Sequence, residues 1–332
     1  MKSPFLKPCL VLLSLITVSI SAQERTLPFD QDEELGKVSW YRDYDEAVAL
    51  SKQQNKPILI LFQEVPGCAT CRNYGHNVLS NPLMTEVIEN EFIPLAIFNN
   101  KGGKDKQILQ KFKEPSWNNP VVRIVDVQGK DLTRRIAQNY SASALYLGMK
   151  NVLLKTEGSI PAYMSLLGEE LSVAKNTTKE AHFKMYCFWT GEKELGAPAG
   201  VLNTEAGFIG HSEVVKVTYN SEEISKEQLT QYAERRDMAP IANNGKYRIA
   251  SKDEDYYLRH SNYKYLPLSK LQRTKINSAL GYGQSPRQYL SPSQYRWLDQ
   301  IDRSEIKKEI RYNKSFAESW ELQAKSSPNS GR

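Results

Sequence analysis

The sequence predicts two consecutive domains, an α/β domain followed by an α+β domain. Three observations carry this reading. The chain has 332 residues, beyond the size at which one hydrophobic core usually keeps growing. Helical and buried-strand patterns alternate up to residue 173, and the polar stretch 174–180 then has linker composition. Cysteines fall on both sides of that stretch: Cys68 and Cys71 form a C-x-x-C in the first half, and Cys187 stands alone in the second. The expected layout is a signal peptide at 1–22, a first domain at 36–173 with a helical C-terminal extension, a linker at 174–180, a second domain at 181–312 and a polar tail at 313–332.

Lys2 and Lys7 precede the apolar stretch 9–20, and Ser19-Ile20-Ser21-Ala22 offers small residues for cleavage. This is the layout of a secretory leader, and the apolar run is short for a membrane span. Cys9 lies at the start of that run, not after it as a lipoprotein would need. Export, most simply to a periplasm, is expected, with a soluble mature chain. The alternative is an uncleaved anchor.

Residues 44–55 read as an amphipathic helix with Ala47, Val48 and Leu50 toward a core. Lys56-Pro57 stops it and leads into the apolar run 58–62. Helical stretches follow the cysteine pair as far as about Tyr74 and from 82 to 90. Buried strands are read at 92–98 and 121–127, the latter closed by a turn at Gln128-Gly129-Lys130. The segment 143–173 is helical with a break at Gly158-Ser159. In the second half, strands are read at 182–186, 213–219 and 247–250. One helix follows Cys187, and another at 226–235 has Ser225 as its cap. The repeat Ser285-Pro286-Arg287-Gln288-Tyr289 and Ser291-Pro292-Ser293-Gln294-Tyr295 places Ser-Pro at two helix starts.

The net charge of +6 is modest, and no dense Lys/Arg block interleaved with aromatics points to nucleic acid. Among the chain's four cysteines, Cys9 falls in the leader, which leaves an odd number in the mature protein. A pair with only two residues between its members staples little chain, so redox use is the stronger reading than a structural bridge. A strand–C-x-x-C–helix order places Cys68 at a helix N-terminus, where the macrodipole and free N–H groups favour a thiolate. Cys71, one turn on, is placed to resolve a mixed disulfide. A zinc site drawing on Cys68, Cys71 and His76 would lack a nearby fourth ligand.

Residues 36–157 resemble a thioredoxin-like domain. The resemblance rests on Lys56-Pro57 before a buried strand, on the C-x-x-C, and on Asn119-Pro120 opening the later strand. It implies an α/β fold with a central mixed sheet flanked by helices, and it implies that Pro120 is the cis-proline that faces the dithiol and contacts substrate sulfur. Val65-Pro66-Gly67-Cys68-Ala69-Thr70-Cys71 also resembles the bacterial (seleno)protein type with a V-P-G-U-x-x-T signature. There selenocysteine stands at the position of Cys68 and threonine at that of Cys71, so the second cysteine here implies an ordinary dithiol cycle.

Residues 182–250 resemble peptide methionine sulfoxide reductase A. Cys187-Phe188-Trp189-Thr190-Gly191-Glu192 is similar to its G-C-F-W-x-x-E. Gly200-Val201, Gly207, the run from Gly210-His211-Ser212-Glu213 to Tyr219, and Tyr247-Arg248 match later blocks in order. The resemblance implies an α+β domain in which Cys187 attacks the sulfoxide and Phe188 and Trp189 cup its methyl group. Glu213 is then the acid, its proton favoured by an apolar strand face shared with Val215, Val217 and Tyr219. Tyr247 supplies a hydroxyl, and Phe208 replaces the family's substrate-binding tyrosine. Tyr186 stands where the family has glycine, the loop before Gly210-His211 is deleted, the family aspartate falls at Ala242 or Asn243, and the C-terminal recycling cysteines are absent.

The implied function is an exported, thiol-dependent reductase of methionine-S-sulfoxide, with no bound cofactor. Cys68 and Cys71 would regenerate Cys187, and a membrane thiol–disulfide donor would reduce the pair. Two alternatives stay open: a general envelope thiol–disulfide oxidoreductase whose second domain holds clients, and a non-enzymatic binding module.

Overall fold

The computed structural model describes residues 25–117, 120–173, 176–303 and 309–326. The leader read at 1–22 and the end of the tail lie outside them. In the first half, α1 (Tyr44–Gln54) begins at Asp43, whose carboxylate accepts the Asp45 and Glu46 N–H groups, and ends at Asn55 in the left-handed region. Then come β1 (Ile58–Gln63), α2 (Ala69–Asn77), α3 (Pro82–Glu91) and β2 (Ile93–Phe98). The half closes with α4 (Gly103–Lys111), β3 (Val121–Val125), α5 (Ala142–Thr156) and α6 (Ala162–Ser172).

Strand order is β2-β1-β3, with β1 parallel to β2 and antiparallel to β3. This is a mixed sheet with helices on both faces. Period-two alternation along β1 divides the core. Leu59 and Leu61 join Met84 of α3, Met149 of α5 and Leu167 of α6, while Ile58, Ile60 and Phe62 join Ala47 and Leu50 of α1 and Leu109 of α4. Burying each Leu, Ile, Met or Phe side chain among these contributes about 1.5–3 kcal/mol. A central strand covered on both faces therefore anchors the cysteine loop that follows it.

The second half holds β4 (Thr178–Met185), α7 (Phe188–Gly196), β5 (Val201–Ile209), β6 (Ser212–Asn220) and α8 (Lys226–Glu234). The short strands β7 (Ala239–Pro240) and β8 (Tyr247–Ile249) complete an antiparallel sheet of order β7-β4-β6-β5-β8. Ser225 and Gln228 form a reciprocal capping box at α8. Gly210, at φ +62°, is the first residue of the two-residue β5–β6 turn, a position a residue with a Cβ fills poorly. The helices α9 (Tyr256–Arg259), α10 (Lys270–Gly281), α11 (Pro292–Arg303) and α12 (Phe316–Ser326) form a separate apolar cluster around Leu266, Ile276 and Trp297.

These helices pack on α3 and α6. The Ser293 N–H and hydroxyl, at the start of α11, donate to the buried Glu86 carboxylate at 2.8 and 2.6 Å. The Leu271 N–H reaches Glu170 at 3.3 Å. The second Ser-Pro thus opens a helix whose first turn docks the two halves.

Two boundaries differ from the sequence reading. Thr178–Glu180, read as linker, already belong to β4, because Thr178 to Met185 pair continuously with Asn220 to Glu213. The polar tail contains α12: Phe316 packs against the first-half core, and Trp320 meets Trp297 at 4.8 Å. Two aromatics four residues apart give one helix face enough apolar area to hold an otherwise polar segment. Among the described residues no helix is long and apolar enough to cross a membrane.

Candidate active site: a dithiol and a single thiol

Cys68 is the N-cap of α2, reached directly from the C-terminal end of β1. It is exposed, whereas Cys71 one turn later is fully buried, and their sulfurs lie 3.7 Å apart. Surrounding groups fix the loop. The Gly67 N–H donates to the buried Glu34 carboxylate at 2.7 Å, and Arg72 donates to the Gly67 carbonyl at 2.7 Å. Gln63 Nε2 bridges the carbonyls of Glu34 and Cys71. A Cβ on Gly67 would lie 2.3 Å from the Glu64 carbonyl and 2.8 Å from Cys71 Cβ, so only glycine lets the chain pass so close to the thiol.

The two thiols are driven apart in acidity. The backbone N–H of Cys71 hydrogen-bonds the Cys68 sulfur, and with help from Thr70 this lowers the Cys68 pKa against its small desolvation. Burial, with the neighbouring Cys68, pushes Cys71 up to about 12. His76 sits in the last turn of α2, and Glu64 instead places a carboxylate oxygen within 4.8 Å of both sulfurs. Pro120 is buried, and the Phe62–Val121 register sets it at the end of β1 from which the cysteine loop leaves. Its bond to Asn119 lies outside the described residues.

Cys187 is the half-buried N-cap of α7, beside the fully exposed Tyr186. The Phe188 N–H donates to Glu213 Oε2 at 2.8 Å, so the carboxylate occupies the positive end of α7 next to the thiol. Phe188 is buried and meets Phe208 edge-on at 5.4 Å. Trp189 lies stacked on Tyr256, with centroids 4.0 Å apart, so one ring face is covered. Gly191 lets α7 press on the sheet, since a Cβ there would fall 1.9 Å from the Met185 sulfur. The motif's Glu192 is buried and accepts the Asp255 N–H at 2.9 Å; burial, and then Asp255, raise its pKa. Its role in this arrangement is to brace the chain that brings Tyr256 over Trp189.

Tyr247 is not brought to Cys187. Phe208 and Glu213 pair across β5–β6 on the face beneath α7, while the Tyr247 ring lies against Gly207 and edge-on to His182 on the opposite face. Its hydroxyl donates to the Glu205 carbonyl at 3.0 Å, and burial raises its pKa. The short hairpin at Gly210 and the one-residue alternation of the strands set this side. The halves meet through α3 and α6 packed against α10 and α11.

Several neighbours escaped sequence reasoning. Glu34 and Asn100 enter the cysteine loop from distant segments, and Tyr256 comes from an aromatic stretch with no periodic signal. Glu64 was in plain view four residues before Cys68, but nothing local gave its side chain a direction.

Residues 39–127 match a family model described as Thioredoxin-like. The chain contains a thioredoxin-like domain over these residues. Among solved structures, a DsbH oxidoreductase is similar at 20% identity, covering 40% of this chain and 93% of that chain, with a TM-score of 0.31. No curated protein matches the chain. The family match does not extend to residues 182–250, where the likeness to methionine sulfoxide reductase A rests on motifs.

Proposed function

We propose that the chain is a thiol–disulfide oxidoreductase acting through Cys68 and Cys71. The observation that carries this is the exposed, acid-shifted Cys68 lying 3.7 Å from a buried Cys71 whose proton is held tightly. The Cys68 thiolate attacks a substrate disulfide, forming a mixed disulfide and expelling one thiolate. Cys71, on losing its proton, attacks Cys68, releases the second thiol and closes the Cys68–Cys71 disulfide. Two electrons pass to the substrate, and an external dithiol donor must return them. In an exported protein a membrane thiol–disulfide carrier fits that need. Turnover on a disulfide substrate tests this: Cys68→Ser should abolish it, and a Cys68→Ser variant with ordinary turnover overturns the reading.

A fuller reading adds sulfoxide reduction at Cys187, favoured by the nearness of Glu213, which the Phe188 N–H holds next to the thiol. The Cys187 thiolate would attack a methionine-S-sulfoxide, with Glu213 delivering the proton to oxygen. The products are a sulfenic acid on Cys187 and the free thioether. Cys68 would condense with the sulfenic acid, losing water, and Cys71 would release Cys187. Phe188 and Phe208 would supply the apolar contact. Comparing S and R sulfoxides with dithiothreitol as donor separates the readings: turnover confined to the S form and lost in Cys187→Ser supports the fuller one. Turnover that survives that change eliminates it.

A further inference from the structure

Three ligand-type atoms converge at the reduced dithiol. The Cys68 and Cys71 sulfurs lie 3.7 Å apart, and a Glu64 carboxylate oxygen joins them within 4.8 Å. Two thiolates held at about 2.3 Å by a tetrahedral ion stand about 3.8 Å from each other, so the sulfur spacing already fits a shared cation. Among the described residues, the Glu64 carboxylate has no hydrogen-bond or ion-pair partner, and it is only half-buried. It can turn toward the sulfurs without breaking a contact.

We propose that reduced Cys68 and Cys71, with Glu64, form a site for one thiophilic divalent cation of the zinc type. Two sulfurs and one carboxylate select a borderline-soft ion over calcium or magnesium, which demand six or more oxygen ligands. Exposed Cys68 leaves the fourth position to water or an incoming thiol. Glu34 is not a ligand, because its carboxylate is committed to the Gly67 N–H.

Binding transfers no electrons: the cation displaces the Cys71 proton, and that of Cys68 where one is present, to solvent. The site exists only in the reduced protein. A disulfide substrate that oxidises the pair takes two electrons from the two thiolates and two protons from solvent, and leaves as two thiols. The Cys68–Cys71 bond that forms removes both thiolates, and the ion is released. The cation therefore competes with disulfide exchange for the same sulfurs.

The site is tested on the full chain, reduced with a phosphine and titrated with Co²⁺ and then Zn²⁺. One Co²⁺ per chain should bind with sulfur-to-cobalt charge-transfer absorption and tetrahedral visible bands, and Zn²⁺ should displace it. Cys71→Ser should remove those bands. Losing the carboxylate in Glu64→Gln should weaken zinc binding about tenfold or more. Glu33→Gln, which removes a nearby exposed carboxylate paired with Arg72, should leave it unchanged. Zinc bound as tightly by Glu64→Gln, or by the disulfide form, overturns the site, as does an absence of one-to-one binding. The titration reads no turnover, so it can fail while the oxidoreductase reading stands, and the reverse.

Discussion

Cys68 and Cys71 differ in acidity because one sulfur receives backbone N–H groups at a helix start and the other is sealed under the loop. At neutral pH iodoacetamide should therefore modify Cys68 at least about tenfold faster than Cys71, since only a thiolate is an effective nucleophile. Peptide mapping after brief exposure checks this, and equal labelling would contradict it. Tyr247 gives a second test. With its ring on the far face of the sheet and its hydroxyl spent on Glu205, Tyr247→Phe should leave any sulfoxide turnover within about twofold and cost about 1 kcal/mol of stability. A large fall in kcat would place the hydroxyl back in the reaction. The C-x-x-C was legible because its chemistry needs only local spacing. The side of the sheet taken by Tyr247 was not, because one residue of strand register reverses it.

The strongly apolar elements, β1, β2 and β3, were legible as runs. Two others were not. In α4 only Ile108 and Leu109 interrupt a polar stretch, and β5 mixes Asn203, Thr204 and Glu205 into a strand held by its pairing with β6. Tertiary contacts decided both. The same holds for α12, whose order depends on Phe316 and Trp320 finding two separate cores. Phe316→Ala should therefore destabilise the chain by about 1–3 kcal/mol, less than a fully buried phenylalanine because the site is only partly covered. Urea unfolding would measure it, and an unchanged midpoint would show that α12 contributes nothing to the docked state.

Folding and the docking of the halves place several carboxylates under cover, and this sets how the whole molecule responds to pH. Glu89 on α3 accepts the Ser39 N–H at 2.7 Å and lies 3.9 Å from Arg25, near Glu86 and Arg296. Burial outweighs these cations and raises it to about 7. The folded state then binds the proton more tightly than the unfolded chain. Its stabilising contribution is full below the unfolded value near 4.5 and is lost as pH rises through about 7. Glu86, Glu169, Glu170 and Glu254 are shifted upward by burial as well. Stability should fall between pH 5 and 7.5, and Glu89→Gln should flatten that fall by about 1–2 kcal/mol. Urea midpoints at the two pH values measure it, and an equal slope in the variant would contradict the assignment.

The central claim is that substrate disulfides are attacked by Cys68 and released by Cys71. It is tested most directly by trapping. A Cys71→Ser chain, mixed with a disulfide substrate and digested without reductant, should carry a mixed disulfide on Cys68, because the resolving sulfur is gone. Substrate joined to Cys187 instead, or no stable adduct at all, would contradict the account.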